Sequence, residues 1–186
     1  MRIILCGFGV VGQSFAKLLI SRSDDLYARY GLKPRIVGIC DRNGSAVDAS
    51  GLDINRLIQI KKQYNSVKKY AKTNNNISGI NMVNDLEADV LIETTESNYK
   101  DAEPGMSHII GAMKRGMHVI SVNKGPLALA FPSLMELATY NHTLFRFSGT
   151  VGGGTPILNY AKISKDRMEG EWEMEIDWVK HEKWVD

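Results

Sequence analysis

Three glycines near the start of the chain carry the first sign of chemistry. Gly7, Gly9 and Gly12 stand at Gly-x-Gly-x-x-Gly spacing, directly after the apolar run Ile3-Ile4-Leu5-Cys6 and directly before Val11, Phe15, Leu18 and Leu19 at helical spacing. Strand, glycine turn and helix in that order make a dinucleotide-binding fingerprint. The first glycine allows the tight turn, the second lets a pyrophosphate approach the backbone, and the third lets the helix pack close to the sheet. The helix start offers N–H groups and a positive dipole end to phosphate oxygens. The expected cofactor-binding residues of this segment are Gly7, Phe8, Gly9, Val10, Val11 and Gly12.

A second group follows the next apolar run, Ile36-Val37-Gly38-Ile39-Cys40, which ends at Asp41. An acidic residue at that strand end commonly accepts hydrogen bonds from an adenine ribose, whereas an arginine beside it suits a 2′-phosphate. Asp41 and Arg42 therefore fit either nicotinamide cofactor. Lys61 or Lys62, one helix later, would add positive charge there, and the alternative for both is a solvated helix end. The combination of Arg42 with the lysines tilts the expectation toward NADP(H) over NAD(H). Cys6 and Cys40 fall at the ends of strands that are neighbours in a doubly wound sheet, so their thiols are expected side by side as small buried residues. His108, His118, His142 and His181 lack metal-ligand spacing and read as ordinary surface or partly buried residues.

The elements that must position these groups alternate. Strands are expected over 2–6, 36–40, 88–93, 118–122 and 144–147. Helices are expected over 10–21, 51–64, 105–115 and 127–140, the last bent near Pro132. The polar run Thr73–Asn76 reads as a loop. Apolar strands without period-two alternation, separated by helices, indicate a parallel sheet covered on both faces, an α/β doubly wound architecture. The 186 residues are 44% apolar and 24% charged with a net charge of +2, values of a globular protein that point to neither nucleic acid nor a membrane surface. No apolar run reaches the roughly 20 residues of a bilayer span, and Met1-Arg2 leads straight into a strand; a cytoplasmic location is expected.

Two further segments narrow the reading: Ser121-Val122-Asn123-Lys124-Gly125-Pro126 and Gly149-Thr150-Val151-Gly152-Gly153-Gly154-Thr155-Pro156. With the glycine turn, with Asp89-Val90-Leu91-Ile92-Glu93-Thr94-Thr95 and with Glu103-Pro104-Gly105, they make a sequence that resembles homoserine dehydrogenase from residue 2 to about residue 160. The resemblance implies a Rossmann-type dinucleotide-binding domain over 1–150. It also implies NAD(P)-dependent interconversion of L-homoserine and L-aspartate 4-semialdehyde, in threonine and methionine synthesis. It places Lys124 beside the nicotinamide and the substrate hydroxyl, in proton transfer or its electrostatic support. It places Thr94 and Thr95 on the nicotinamide side, and adds Ser121 and Asn123 to the cofactor set. Near Ser148, Val151, Gly153 and Thr155 it implies backbone groups able to hold Na+ or K+, with one departure: many members have Glu-Ala where Ser148-Gly149 stand here.

The family continues into a substrate and dimerisation domain with an Asn-Gly-Thr-Thr-Asn segment and an Asp-x-x-x-Lys pair, and neither occurs in these 186 residues. Residues 151–186 therefore read as a hinge, a helix and a remnant or divergent start of that domain. The expectation is cofactor binding with little or no turnover by this chain alone. The alternatives are a cofactor-binding module without catalysis and a subunit completed by a partner chain. Glu171 to Trp178 alternates acidic and apolar residues, the pattern of a half-buried strand that needs a second surface, and a homo-oligomer through this strand is one way to supply it.

Overall fold

The computed structural model describes residues 1–70 and 77–153. The chain divides into two compact units, Met1–Arg146 and Phe147–Asp186. In the first unit six strands form one sheet: β1 (Arg2–Cys6), β2 (Arg35–Asp41), β3 (Gly44–Val47), β4 (Val90–Glu93), β5 (His118–Ser121) and β6 (Phe145–Arg146). Their spatial order is β3-β2-β1-β4-β5-β6. All neighbours run parallel except β2 and β3. The helices are α1 (Val10–Ser21), α2 (Ser23–Tyr30), α3 (Ile54–Tyr64), α4 (Gly79–Asp85), α5 (Gly105–Lys114) and α6 (Lys124–Tyr140). This is the expected doubly wound α/β fold with its strand order reversing beside β1, where such sheets open a crevice at the carboxyl ends.

Burial on both faces explains why the strands show no alternation. Ile3 and Leu5 join Phe8, Ala16, Ile36, Ile39, Ile54 and Leu57 in one core cluster. Ile4, Leu91, Met82, Ile109 and Met113 are fully buried outside that cluster. Each fully buried Leu or Ile contributes roughly 1.5–3 kcal/mol relative to exposure, so these central strands anchor the unit.

The sheet is not parallel throughout. β3 pairs antiparallel with β2, Asp41 opposite Gly44, and Arg42-Asn43 form the tip of a tight hairpin. The two-residue turn Arg42-Asn43 marks the extra strand that the helix-strand alternation passes over. Two helices are also additional. α2 starts with Asp24 and Asp25 in its first turn and closes at Gly31 with φ +66, while α4 is capped by Ser78, whose hydroxyl accepts from Asn81 N. Both are short, at 8 and 7 residues, and give periodicity little length in which to show.

Helix starts also move. α3 begins at Ile54 rather than Gly51 because Asp53 caps it, accepting from Arg56 N at 3.0 Å, a contact worth about 1 kcal/mol. α6 begins at Lys124 rather than 127 because the Asn123 side chain accepts from Gly125 N at 3.1 Å. Its expected bend is present: Ala130 leaves helical geometry two residues before Pro132, which lacks the N–H that would continue the ladder. In the second unit the described residues form a 3-10 turn, Ser148–Thr150, closed by Thr150 N to Phe147 O at 2.9 Å. Gly154, Thr155, the Thr73–Asn76 run and the alternating segment 171–178 lie outside the described residues.

Candidate functional site

A cleft of about 1300 Å³ opens over the carboxyl ends of β1, β2 and β4. It is lined by Gly7, Phe8, Gly9, Val10 and Val11 on one side, by Asp41, Arg42 and Lys61 on another, and by Thr94, Thr95 and Glu96 on the third. The three glycines differ in what they do. Gly7 has φ +94, and a Cβ there would fall 2.5 Å from the Thr94 carbonyl carbon and oxygen. A Cβ on Gly12 would meet the Gly7 oxygen at 2.2 Å, so this glycine seats α1 against the turn. Gly9 has nothing within 4 Å of its missing Cβ; its side is open cleft. Gly9 is also the N-cap of α1 and has no side chain to accept from the first-turn N–H groups. That arrangement suits an anion at the helix start.

The turn is held from behind. Thr94 N donates to Cys6 O at 2.8 Å, and its hydroxyl lies 2.8 Å from Gly7 O and 3.0 Å from Cys6 O. Gln13 Nε2 donates to Phe8 O at 3.1 Å. The Phe8 side chain is buried in the core, which leaves only its backbone toward the cleft. Gln13, absent from the expected set, is therefore part of the turn's support; its position one helical turn past Gly9 is the available signal.

Asp41 lines the cleft, but its carboxylate is already engaged. Oδ2 accepts from Lys61 Nζ at 2.8 Å and Val67 N at 2.9 Å; Oδ1 accepts from Asn43 N at 2.8 Å and, at 3.4 Å, from the Ser66 hydroxyl. The side chain is 5% exposed. Asp41 thus ties the β2–β3 hairpin to the chain that follows α3, and a buried, saturated carboxylate has little to offer ribose hydroxyls. Lys61 gives a second N–H to Asn65 O at 3.0 Å. Arg42 at the hairpin tip is exposed and forms an ion pair with Glu96, which follows β4, so the pair links the β2 and β4 sides of the cleft.

The threonines and the Asn123 region form a separate, mostly buried network. Thr95 donates from its N–H (2.7 Å) and its hydroxyl to Glu93 Oε1, and accepts from Asn123 Nδ2 at 3.0 Å. Ser121 and Asn123 are buried; Asn123 N donates to Ser121 Oγ at 3.1 Å. Gly105 is needed because a Cβ would lie 2.5 Å from Asn123 Nδ2, and Gly125 because a Cβ would lie 2.4 Å from Asn98 O. Lys124 is the first residue of α6, half-buried, its N–H donating to Ser97 Oγ at 3.0 Å. Ser121, Asn123 and Lys124 do not line the cleft; they brace the loop after β4 that does.

One histidine departs from the reading as a surface or partly buried residue. His108 on α5 is 3% exposed, and its Nδ1 lies 2.7 Å from Oε2 of the fully buried Glu93. Burial by itself lowers the imidazole pKa, but the hydrogen bond and charge of Glu93, with smaller help from Cys40 and Glu103, raise it above the usual histidine value. Nothing in local sequence spacing links His108 to Glu93; the packing of α5 against β4 brings them together. The Cys6 sulfur, a Glu93 oxygen and a His108 ring nitrogen lie within 4.8 Å of one another. Both Glu93 oxygens are already taken by Thr95 and His108. The cysteines lie side by side as expected, paired in register on β1 and β2, and both are free thiols.

The family model of Glutamate/Leucine/Phenylalanine/Valine dehydrogenase matches residues 1–103, which carry the glycine turn, the hairpin and the β4 threonines. The chain belongs to this dehydrogenase family. Its relatives over a longer stretch are homoserine dehydrogenases, as the resemblance in sequence implies. That of Methanocaldococcus jannaschii is 38% identical over 162 residues, 87% of this chain and 48% of the relative. The NAD(+)-dependent homoserine dehydrogenase of Pseudomonas canavaninivorans is 32% identical over 162 residues, 87% of this chain and 46% of the relative. A crystal structure of the enzyme from Thermoplasma acidophilum matches with a TM-score of 0.71 at 26% identity, covering 88% of this chain and 48% of that one. The chain spans about half the length of these relatives. Among the described residues no helix is long and apolar enough to cross a membrane.

Proposed function

We propose that this chain is the nucleotide-binding part of an NAD(P)-dependent homoserine dehydrogenase and that it prefers NADP(H). The observation that carries the cofactor reading is Gly9: open space where its side chain would be, at the uncapped start of α1, on the wall of a cleft of about 1300 Å³. The backbone of Gly7–Val11 and the first turn of α1 would hold the pyrophosphate. Arg42 at the hairpin tip would meet a 2′-phosphate, and Lys61 neutralises the Asp41 carboxylate that would otherwise repel one. A hyperthermophilic archaeal homoserine dehydrogenase of this fold (TM-score 0.73, 24% identity) binds NADPH, whereas the 32%-identical Pseudomonas relative is NAD(+)-dependent, so the preference for NADP(H) rests on Arg42 and Lys61.

When bound, the nicotinamide supplies or accepts a hydride. The residues of this chain do the rest of the positioning. Thr94 and Gln13 fix the glycine turn, and Glu93 fixes Thr95, which receives Asn123. Asn123 in turn caps α6 and sets the origin of Lys124. A lysine on that first helical residue is suited to hold or deliver the proton of a substrate hydroxyl. The test is a calorimetric titration of the folded chain with NADPH and with NADH. Binding of NADPH at least tenfold tighter than NADH is expected; heat from neither would end the cofactor reading.

A further inference from the structure

Below the glycine turn lies a row of buried side chains, two of them thiols that nucleotide binding does not use. Cys40 on β2, Cys6 on β1, Glu93 on β4 and Ser121 on β5 are successive register partners at the carboxyl ends of their strands. All four are buried. In-register residues of neighbouring parallel strands point to the same face, about 4.7–4.9 Å apart. That separation lies inside the roughly 4.4–6.8 Å Cα range of a disulfide. The two residues are direct register partners on adjacent strands, and each thiol shifts the other's pKa. Cys40 lines the cleft and Cys6 does not. The same two residues build the glycine turn with their carbonyls: Gly7 N donates to Cys40 O at 2.9 Å, and Thr94 N to Cys6 O at 2.8 Å.

We propose that Cys40 and Cys6 form a thiol–disulfide couple in the floor of the cleft, with Cys40 as the attacking sulfur, Cys6 as the resolving sulfur, and small organic disulfides of the glutathione type as oxidant. The Cys40 thiolate attacks one sulfur of the small disulfide, forming a mixed disulfide and releasing one thiolate, which takes up a proton. The Cys6 thiol then gives up its proton and attacks Cys40 Sγ, forming the Cys6–Cys40 bond and expelling the second small thiol. Two protein thiols lose two electrons and two protons; the reagent gains both and leaves as two thiols.

The surroundings assign the roles. Cys40 is the one that lines the cleft; the neighbouring Cys6 lowers its thiol pKa against burial that raises it, with charge on His108 helping, while Cys40 and burial both raise the Cys6 thiol. Gly79 at the start of α4 sits against Cys40 and His108: a Cβ there would lie 3.0 Å from Cys40 Sγ and 2.4 Å from His108 Nε2. A disulfide brings Cβ atoms to roughly 3.5–4.5 Å, closer than strand spacing leaves them. The backbone that must shift carries the carbonyl holding Gly7. Oxidation therefore loosens the glycine turn and weakens nucleotide binding. This last step rests on the nucleotide reading above; the thiol chemistry does not.

The test uses the full chain, reduced and then exposed to excess oxidised glutathione, with thiol titration and peptide mapping. The wild type is expected to lose both thiols and yield a Cys6–Cys40 linked peptide without retained glutathione. Cys6→Ser, or Cys6→Ala if the hydroxyl disturbs folding, should retain glutathione on Cys40, and Cys40→Ser should leave Cys6 unmodified. Saturating NADPH should slow the wild-type reaction, and the oxidised protein should bind NADPH at least tenfold more weakly, with recovery on reduction. Free thiols persisting while a cysteine peptide in the same tube is fully oxidised would overturn the couple, as would modification of Cys6 in Cys40→Ser at the wild-type rate. If reduced protein binds no NADPH, the nucleotide reading fails and the thiol results still decide the couple.

Discussion

Gly7 and Gly9 are the same residue type with opposite sensitivities. Gly7 combines φ +94 with backbone 2.5 Å from any Cβ, so Gly7→Ala is expected to destabilise by more than the about 1–3 kcal/mol of a strained conformation alone, read as a drop in urea midpoint. Gly9 has an ordinary φ of −82 and open space beside it. Gly9→Val should keep the wild-type midpoint and lose NADPH binding in the same preparation. At the hairpin tip, Arg42→Ala should weaken NADPH about ten- to a hundredfold, the worth of a charge-assisted phosphate contact of about 1.5–3 kcal/mol, and leave NADH nearly unchanged. Glu96→Gln releases Arg42 from an exposed pair worth about 0–1 kcal/mol, so NADPH affinity should rise by up to about fivefold in a fluorescence titration. The placement of the glycine turn and of Arg42 at the cleft, and the pairing of the two cysteines, were legible in the sequence because each follows from local spacing or strand order. The saturation of Asp41 was not, since Val67, Ser66 and Asn43 reach it only through the hairpin and the turn after α3. Nor was the Glu93–His108 pair, which joins a strand end to a helix face 15 residues on.

At the scale of elements, long apolar strands and helices were readable because period and length give enough repeats to count. The missing pieces, α2, α4 and β3, are short and defined by caps and a turn rather than by period. The contact between β4 and α5 has a consequence in pH. His108 is held above its ordinary pKa by Glu93, against burial that would lower it. A raised folded-state value means the protonated form is preferred by the folded chain. The stabilisation is then complete below the unfolded value of about 6.5 and disappears as pH rises through the raised value. Urea midpoints of the wild type should fall across that interval, and His108→Gln should flatten the slope there. A wild-type slope that survives the substitution would place the titration elsewhere.

For the molecule as a whole, the sheet's two ends differ from its middle. The apolar strands β1, β2 and β4 lie inside, while the edges among the described residues are the four-residue β3 and the two-residue β6. Long exposed strands with unpaired backbone groups are templates for aggregation, and short edges are one of the ways proteins avoid them. The β2–β3 hairpin therefore works as a guard for Ile36–Cys40 as well as a carrier of Arg42. Ala46, opposite Ile39 in that hairpin, tests this. Ala46→Pro removes a ladder donor and should detach β3, giving light scattering at temperatures where the wild type stays clear. The hairpin that carries Arg42 thus also covers the apolar edge of β2, so a variant that frees the hairpin to admit a larger ligand is expected to trade against the protein's shelf life in solution.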